Sequence, residues 1–116
     1  MRSMESGLRD RLVTIQQATD VTESSGAPGE DWSTLVADMP ASKDDLTGRE
    51  RLMVSQMSAQ ADSKFVINYR MDMDPDVVDV PKARRLVYRG RTYDITVANM
   101  LGRREGVELF TIAKAG

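Results

Sequence analysis

Any chemistry in this chain would have to come from three groupings of polar side chains. Asp72, Asp74 and Asp76 form a D-x-D-x-D series, and alternate carboxylates can converge on one hard cation such as calcium. The rest of a calcium loop is missing. Its sixth position is Val77 where the sharp turn needs glycine, and its twelfth is Ala83 where a bidentate glutamate belongs. The series therefore reads as a solvated acidic loop, with no metal site. The second grouping is basic: Arg84, Arg85, Arg89 and Arg91, then Arg103 and Arg104, interleaved with Tyr88 and Tyr93. Such a face can hold phosphates and stack bases, or its planar guanidinium forks can pair the carboxylates of a protein partner. The interface reading is preferred, with Asp72, Asp74 and Asp76 of a neighbouring copy facing Arg84, Arg85, Arg89 and Arg91. Third come Lys64 and Lys82, bases in principle, although exposed lysine is ordinarily only a solvating charge.

What is absent narrows the field further. The chain has no histidine and no cysteine, so it lacks the usual general base near neutral pH, the commonest metal ligand, any thiolate and any disulfide. It carries no nucleophile motif and no glycine-rich phosphate loop. No catalytic residue and no cofactor are expected, and the chain reads as a non-enzyme. Sixteen basic against 18 acidic side chains give a net charge of −2, so the chain as a whole is not an electrostatic glove for DNA or acidic membranes. Its 116 residues suit one domain spanning 1–116. No run approaches the roughly 20 apolar residues that cross a bilayer, and Met1 to Asp10 lacks the order of a signal peptide. The expectation is a protein made and assembled in the cytoplasm, with no membrane contact.

The elements that must position these side chains are short strands. Arg11 to Gln17 alternates, with Val13 and Ile15 on one face. Ala18 to Asp31 is rich in serine, glycine and proline and predicts a long hairpin loop. Trp32 to Met39 predicts a second strand, ended or edged by Pro40. The period then changes. Leu46, Val54, Met57 and Ala61 fall at near-helical spacing behind the capping box Thr47-x-x-Glu50, predicting a helix from about Gly48 to Gln60. Met53 and Met57 on it are expected to pack in the core, although methionine also suits interfaces that repack.

Phe65, Ile67 and Tyr69 alternate in a third strand, and Met71 to Pro81 is an acidic connection. Arg89-Gly90 predicts a two-residue hairpin turn that sets Leu86 opposite Tyr93 and puts Tyr93, Ile95 and Val97 on one face. A last strand covers Val107 to Ala113. The sum is a mostly β fold, a small barrel or rolled antiparallel sheet of about six strands, with one helix inserted between strands two and three.

Several of these segments, in this order, look familiar. Leu8-Arg9-Asp10-Arg11-Leu12-Val13-Thr14-Ile15-Gln16, Gly26-x-Pro28 with Trp32 downstream, Gly48-Arg49-Glu50, Phe65-Val66-Ile67-Asn68-Tyr69-Arg70, and Leu86-Val87-Tyr88-Arg89-Gly90-Arg91-Thr92-Tyr93-Asp94-Ile95 resemble the phage head-tail joining family, also called stopper or head-closure proteins. The stretch from Met71 to Arg85 departs from it, being longer and more acidic than the short link expected there. The resemblance implies a small barrel with a helix-bearing insertion at about 41–63, assembled as a ring in the neck of the virion. That ring would close the portal channel after DNA packaging and offer the tail its docking surface. Its implied partners are other copies of itself, six by family analogy, a portal-bound adaptor, a tail terminator or tail-completion protein, and genomic DNA in the lumen without sequence-specific binding.

By the same resemblance the gate lies in the insertion, where Lys43, Asp44, Asp45, Arg49, Glu50, Gln56 and Gln60 would face the channel. A ring around DNA must not grip it, because each neutralised phosphate adds affinity, and a negative net charge suits that need. Two other readings stay open on sequence: a neighbouring adaptor or tail-completion component, and a small barrel binding single-stranded nucleic acid through Arg89, Arg91, Tyr88 and Tyr93.

Overall fold

A computed structural model describes residues 11–22 and 28–114, with the side chains of 20–30 left aside. In chain order the elements are β1 (Arg11–Thr22), β2 (Pro28–Asp45), α1 (Gly48–Gln56), β3 (Ser63–Asn68), one 3-10 turn (Met71–Met73), α2 (Val80–Ala83), β4 (Arg84–Tyr88), β5 (Arg91–Leu101) and β6 (Gly106–Ala113). The strands close a barrel in the order β1-β2-β3-β6-β5-β4, every neighbour antiparallel. The fold is therefore mostly β, a small six-stranded barrel with a helix between the second and third strands, as the sequence predicts.

Period-two alternation builds the interior. Val13 and Ile15, Phe65 and Ile67, Tyr93 and Ile95, and Val107 and Leu109 all point inward and are buried. At the centre Phe65 meets Tyr88 and Tyr93 edge to face, with centroids 5.8 and 5.2 Å apart, an arrangement the ring quadrupoles favour. The β4–β5 hairpin has the predicted register, Leu86 opposite Tyr93. Its turn uses Arg89 at φ 52° and Gly90 at φ 76°, two left-handed residues whose twist matches that of the paired strands.

Four expectations need correction. First, Ala18 to Asp31 is not one loop. β1 and β2 stay paired from Ala18 opposite Trp32 to Thr22 opposite Pro28, and beyond Gln17, the last residue of β1 that pairs with β4, this two-stranded ribbon continues without a third strand among the described residues. Second, Pro40 does not end β2. It sits exposed inside the strand opposite Leu12, beside a register shift where Asp38 adopts φ 55°. A proline is tolerated there because the bulge already interrupts the ladder.

Third, Val97 does not share the face of Tyr93 and Ile95. A register shift between Ile95 and Val97 turns Val97 outward, where it joins Phe110, Leu46 and Val54 in a second small core. Fourth, Met53 and Met57 do not pack inside. Within α1 only Val54 is buried, and the helix stops at Gln56, four residues short of Gln60. Ser58 at φ 57° turns the chain back, and the Ala59 N–H donates to the Val54 carbonyl.

The Met71 to Arg85 connection is also more than a link. Met73 and Val80 are wholly buried and pack into the main core, so this segment is part of the barrel's packing. The turn and α2 let an acidic stretch bury two apolar side chains while most of its carboxylates stay outside.

Candidate assembly surfaces

The insertion between β2 and β3 is capped at the start of its helix and held to the barrel by one charge latch over a small apolar seat. The Thr47 hydroxyl accepts from the Glu50 N–H, and the Glu50 carboxylate accepts from the Thr47 N–H at 3.0 Å, so the predicted capping box is complete. The other oxygen of Glu50 accepts from Lys64 Nζ on β3 at 2.6 Å, and Lys64 also lies 3.6 Å from Glu108 on β6. Beneath this latch Leu46 and Val54 sit on Val97 and Phe110, with Ala59 and Ala61 alongside.

The hydrogen bond from Lys64, helped by that from the Thr47 N–H, holds the Glu50 carboxyl below its ordinary value of 4.5. Partial burial works to lower the Lys64 value, but the bond to Glu50 and the charges of Glu50, Glu108 and Asp44 outweigh it, so it stands above 10.5. Lys64, read from sequence as a base in principle, is thus an anchor. Its partners lie 14 and 44 positions away by number, and no local pattern signals them.

The other gate candidates divide by position. Lys43, Asp44 and Asp45 are not in a loop but end β2, opposite Phe65, Lys64 and Ser63 respectively. Arg49 and Gln56 are exposed on α1, and Gln60 is exposed beyond it. Deleting Lys43 to Gln60 would therefore cut the β2–β3 ladder and uncover Val97 and Phe110.

The acidic series is not simply solvated. Asp74 is 2% exposed and accepts from the Tyr69 hydroxyl at 2.8 Å and from the Asp76 N–H at 2.8 Å; the bond to Asp74 raises the Tyr69 pKa. Asp72 accepts two bonds from Arg70, at 2.9 and 2.8 Å, which lower its pKa and raise that of Arg70. Asp76 stays exposed. Among the described residues no group of acidic side chains is placed to hold a metal.

Of the basic candidates, Arg84 donates to the Asp72 and Ala83 carbonyls. Arg85 donates to Gln16 at 2.6 Å and lies over the Trp32 ring at 4.3 Å. Five of the seven interface candidates, Asp72, Asp74, Arg84, Arg85 and Arg89, thus have partners inside the chain, Arg89 through the Tyr88 ring at 5.5 Å, and Asp76, Arg89 and Arg91 are exposed. Tyr88 and Tyr93 are each only 8% exposed and pack on Phe65, which leaves no stacking platform there for bases.

Two shallow apolar grooves flank residues 75–80. One is lined by Met57, Ala59, Pro75, Val78, Val97 and Ala98 among others. The second is lined by Arg70, Met71, Asp72, Val77, Val78 and Arg84. Sequence reading placed neither, because exposed Met71 and Val77 lie in a stretch whose charge dominates its pattern.

The comparisons with known proteins bear on this arrangement. A family model described as "Phage head completion protein" matches residues 4–114. Among solved structures, the chain is similar to protein SF1141 from Shigella flexneri 2a, at 20% identity and a TM-score of 0.66, over 90% of this chain and 95% of that one. It is similar also to a chain from the virion of a native gene transfer agent particle, at 15% identity and a TM-score of 0.53, over 88% of this chain and 91% of that one. At these identities the likeness is one of fold. No curated protein matches. With a barrel interior filled by side chains, polar clusters that satisfy one another, and a family match running almost from end to end, the chain belongs to the phage head completion proteins, as a structural protein of the phage head.

Proposed function

We propose that this protein is the stopper of the neck: a ring, six copies by family analogy, that closes the portal channel after packaging and presents the tail with its docking surface. It would sit between a portal-bound adaptor and a tail terminator or tail-completion protein, with DNA passing through its lumen unread. The mechanism is packing, charge pairing and a movable insertion, without catalysis.

The observation that carries the reading is how the insertion is mounted. The barrel is tied by closed ladders, whereas α1 rests on one buried side chain of its own, Val54, with Leu46 beside it and one charge latch at Glu50. A segment held by so few contacts can exchange between two arrangements at modest cost. Asp44, Asp45, Gln56 and Gln60, none of which attracts phosphate, are exposed around it and would face the lumen beside the exposed Arg49 and Arg51.

The test is to replace these four residues with alanine in the virus that encodes the chain, leaving Leu46, Val54 and Glu50 in place. Filled heads that leak DNA or fail to join tails are expected. Normal yields of infectious particles would overturn the gate assignment, and locating the chain away from the neck by imaging would overturn the stopper reading itself.

A further inference from the structure

Register places a set of polar side chains at one mouth of the barrel. Residues directly opposite each other in an antiparallel pair share a face. Arg11 lies opposite Ala41 and Lys43 opposite Phe65. Ala41, Phe65 and Tyr88 all belong to the main core, so Arg11 and Lys43 stand on the interior face with them. All three polar residues sit where strands run out: Arg11 is the first described residue of β1, Tyr88 the last of β4, and Lys43 comes two residues before the end of β2. Here the interior opens as a cleft of about 460 Å³, lined by Arg11, Lys43, Asp44, Asp45, Tyr88 and Arg89.

We propose that this cleft binds one carboxylate group, with the Tyr88 hydroxyl, Lys43 and Arg89 as its donors; the assignment does not depend on the ring reading. Tyr88 carries it. The residue is 8% exposed and its oxygen accepts from Arg11 Nη1 at 2.9 Å, while its own proton has no acceptor among the described residues. A phenol donates as well as accepts, so that proton is left for whatever fills the cleft. Arg11 fixes the phenol. Arg89, a turn residue at φ 52°, folds back over the Tyr88 ring at 5.5 Å, which brings its guanidinium to the same cleft, and Lys43 is half-buried there. Neither Lys43 nor Arg89 makes an ion pair with Asp44, Asp45 or any other described residue. The two exposed aspartates set the charge of the ligand instead. Repulsion grows with each negative charge brought beside them, so the cleft takes a monoanion and repels a phosphate dianion or the serial phosphates of DNA. A carboxylate is the planar monoanion that a guanidinium fork fits.

The probe is sodium acetate, added to the full chain at constant ionic strength against chloride and read by the arginine Nε–H and backbone amide signals in nuclear magnetic resonance. Saturable shifts at Lys43, Tyr88 and Arg89 are expected. Tyr88→Phe, which keeps the ring and loses the hydroxyl, should weaken acetate roughly tenfold, the size of one hydrogen bond to a charged group. Arg89→Gln should weaken it likewise, whereas Arg91→Gln, at an exposed residue outside the lining, should leave it unchanged. Replacing Asp44 and Asp45 with asparagine should let inorganic phosphate bind as tightly as acetate. Shifts that never saturate, or that survive both Tyr88→Phe and Arg89→Gln undiminished, mean an adventitious ion only and overturn the site; a wild-type chain that prefers phosphate to acetate overturns the carboxylate assignment. If Tyr88→Phe does not fold, the contrast between the two exposed arginines decides alone. Acetate that also reverses self-association of the wild type makes the source an acidic side chain of a neighbouring copy, and acetate that binds without that effect makes it a free small acid; the site stands in both cases.

Discussion

Glu50 does two jobs with one carboxylate, capping the start of a helix and binding a strand, and this makes it the most informative single residue in the insertion. The pair it forms with Lys64 is about one-fifth exposed on each side, so its value is on the order of 1 kcal/mol, not that of a fully buried pair. Glu50→Gln is expected to cost about that much in denaturant unfolding, and to raise amide exchange in α1 more than in the barrel. The pH dependence follows from the shifts. A carboxyl whose folded pKa lies below 4.5 contributes above that value and loses its contribution as pH falls through the folded one. A lysine raised above 10.5 contributes below that value and loses its contribution as pH climbs through the folded one. The gap between wild type and Glu50→Gln should therefore be constant across neutral pH and shrink in acid; a gap that widens in acid would contradict the latch. Sequence made the capping box legible because it is local, but not Lys64 and Glu108, which reach Glu50 only after β3 and β6 have paired.

Elements differ in how much of themselves they showed in advance. The β4–β5 hairpin was readable to the residue because its turn requires two left-handed positions and Arg89-Gly90 supplies them. Substituting Gly90 with valine should cost about 1 kcal/mol or more through backbone strain alone, measurable as a lower thermal midpoint with the fold retained. The β1–β2 ribbon was less readable, since its polar, glycine-bearing arms look like loop and are strand through backbone pairing. The shift in β5 was unreadable, because Tyr93, Ile95 and Val97 alternate perfectly as letters and only the register against β6 turns Val97 outward. That turn builds the seat for α1. Val54→Ala, which hollows the seat, should cost about 1–3 kcal/mol and loosen α1 preferentially in hydrogen exchange; uniform loosening of the whole barrel would mean that the insertion and the barrel unfold as one unit.

For the molecule as a whole, the class was legible and the surfaces were not. Strand count, helix position and family followed from alternation, one change of period and the order of short segments. The alternative in which Tyr88, Tyr93, Arg89 and Arg91 share an open face for bases fails because Tyr88 and Tyr93 are needed to fill the barrel around Phe65. A whole-molecule prediction follows: purified protein should show no salt-dependent binding of single-stranded oligonucleotide near physiological ionic strength, and replacing Arg89 and Arg91 should not alter that result; tight binding abolished by those changes would restore the nucleic-acid reading. The ribbon beyond Gln17 has its own consequence. Five residue pairs, Ala18–Trp32 through Thr22–Pro28, extend it by about 17 Å at strand pitch. Anything stacked on that end of the barrel meets a narrow boom first, and must either leave a slot for it or interleave with it. The spacing between this layer and the next would then be fixed by the length of a hairpin, well before any side chains touch.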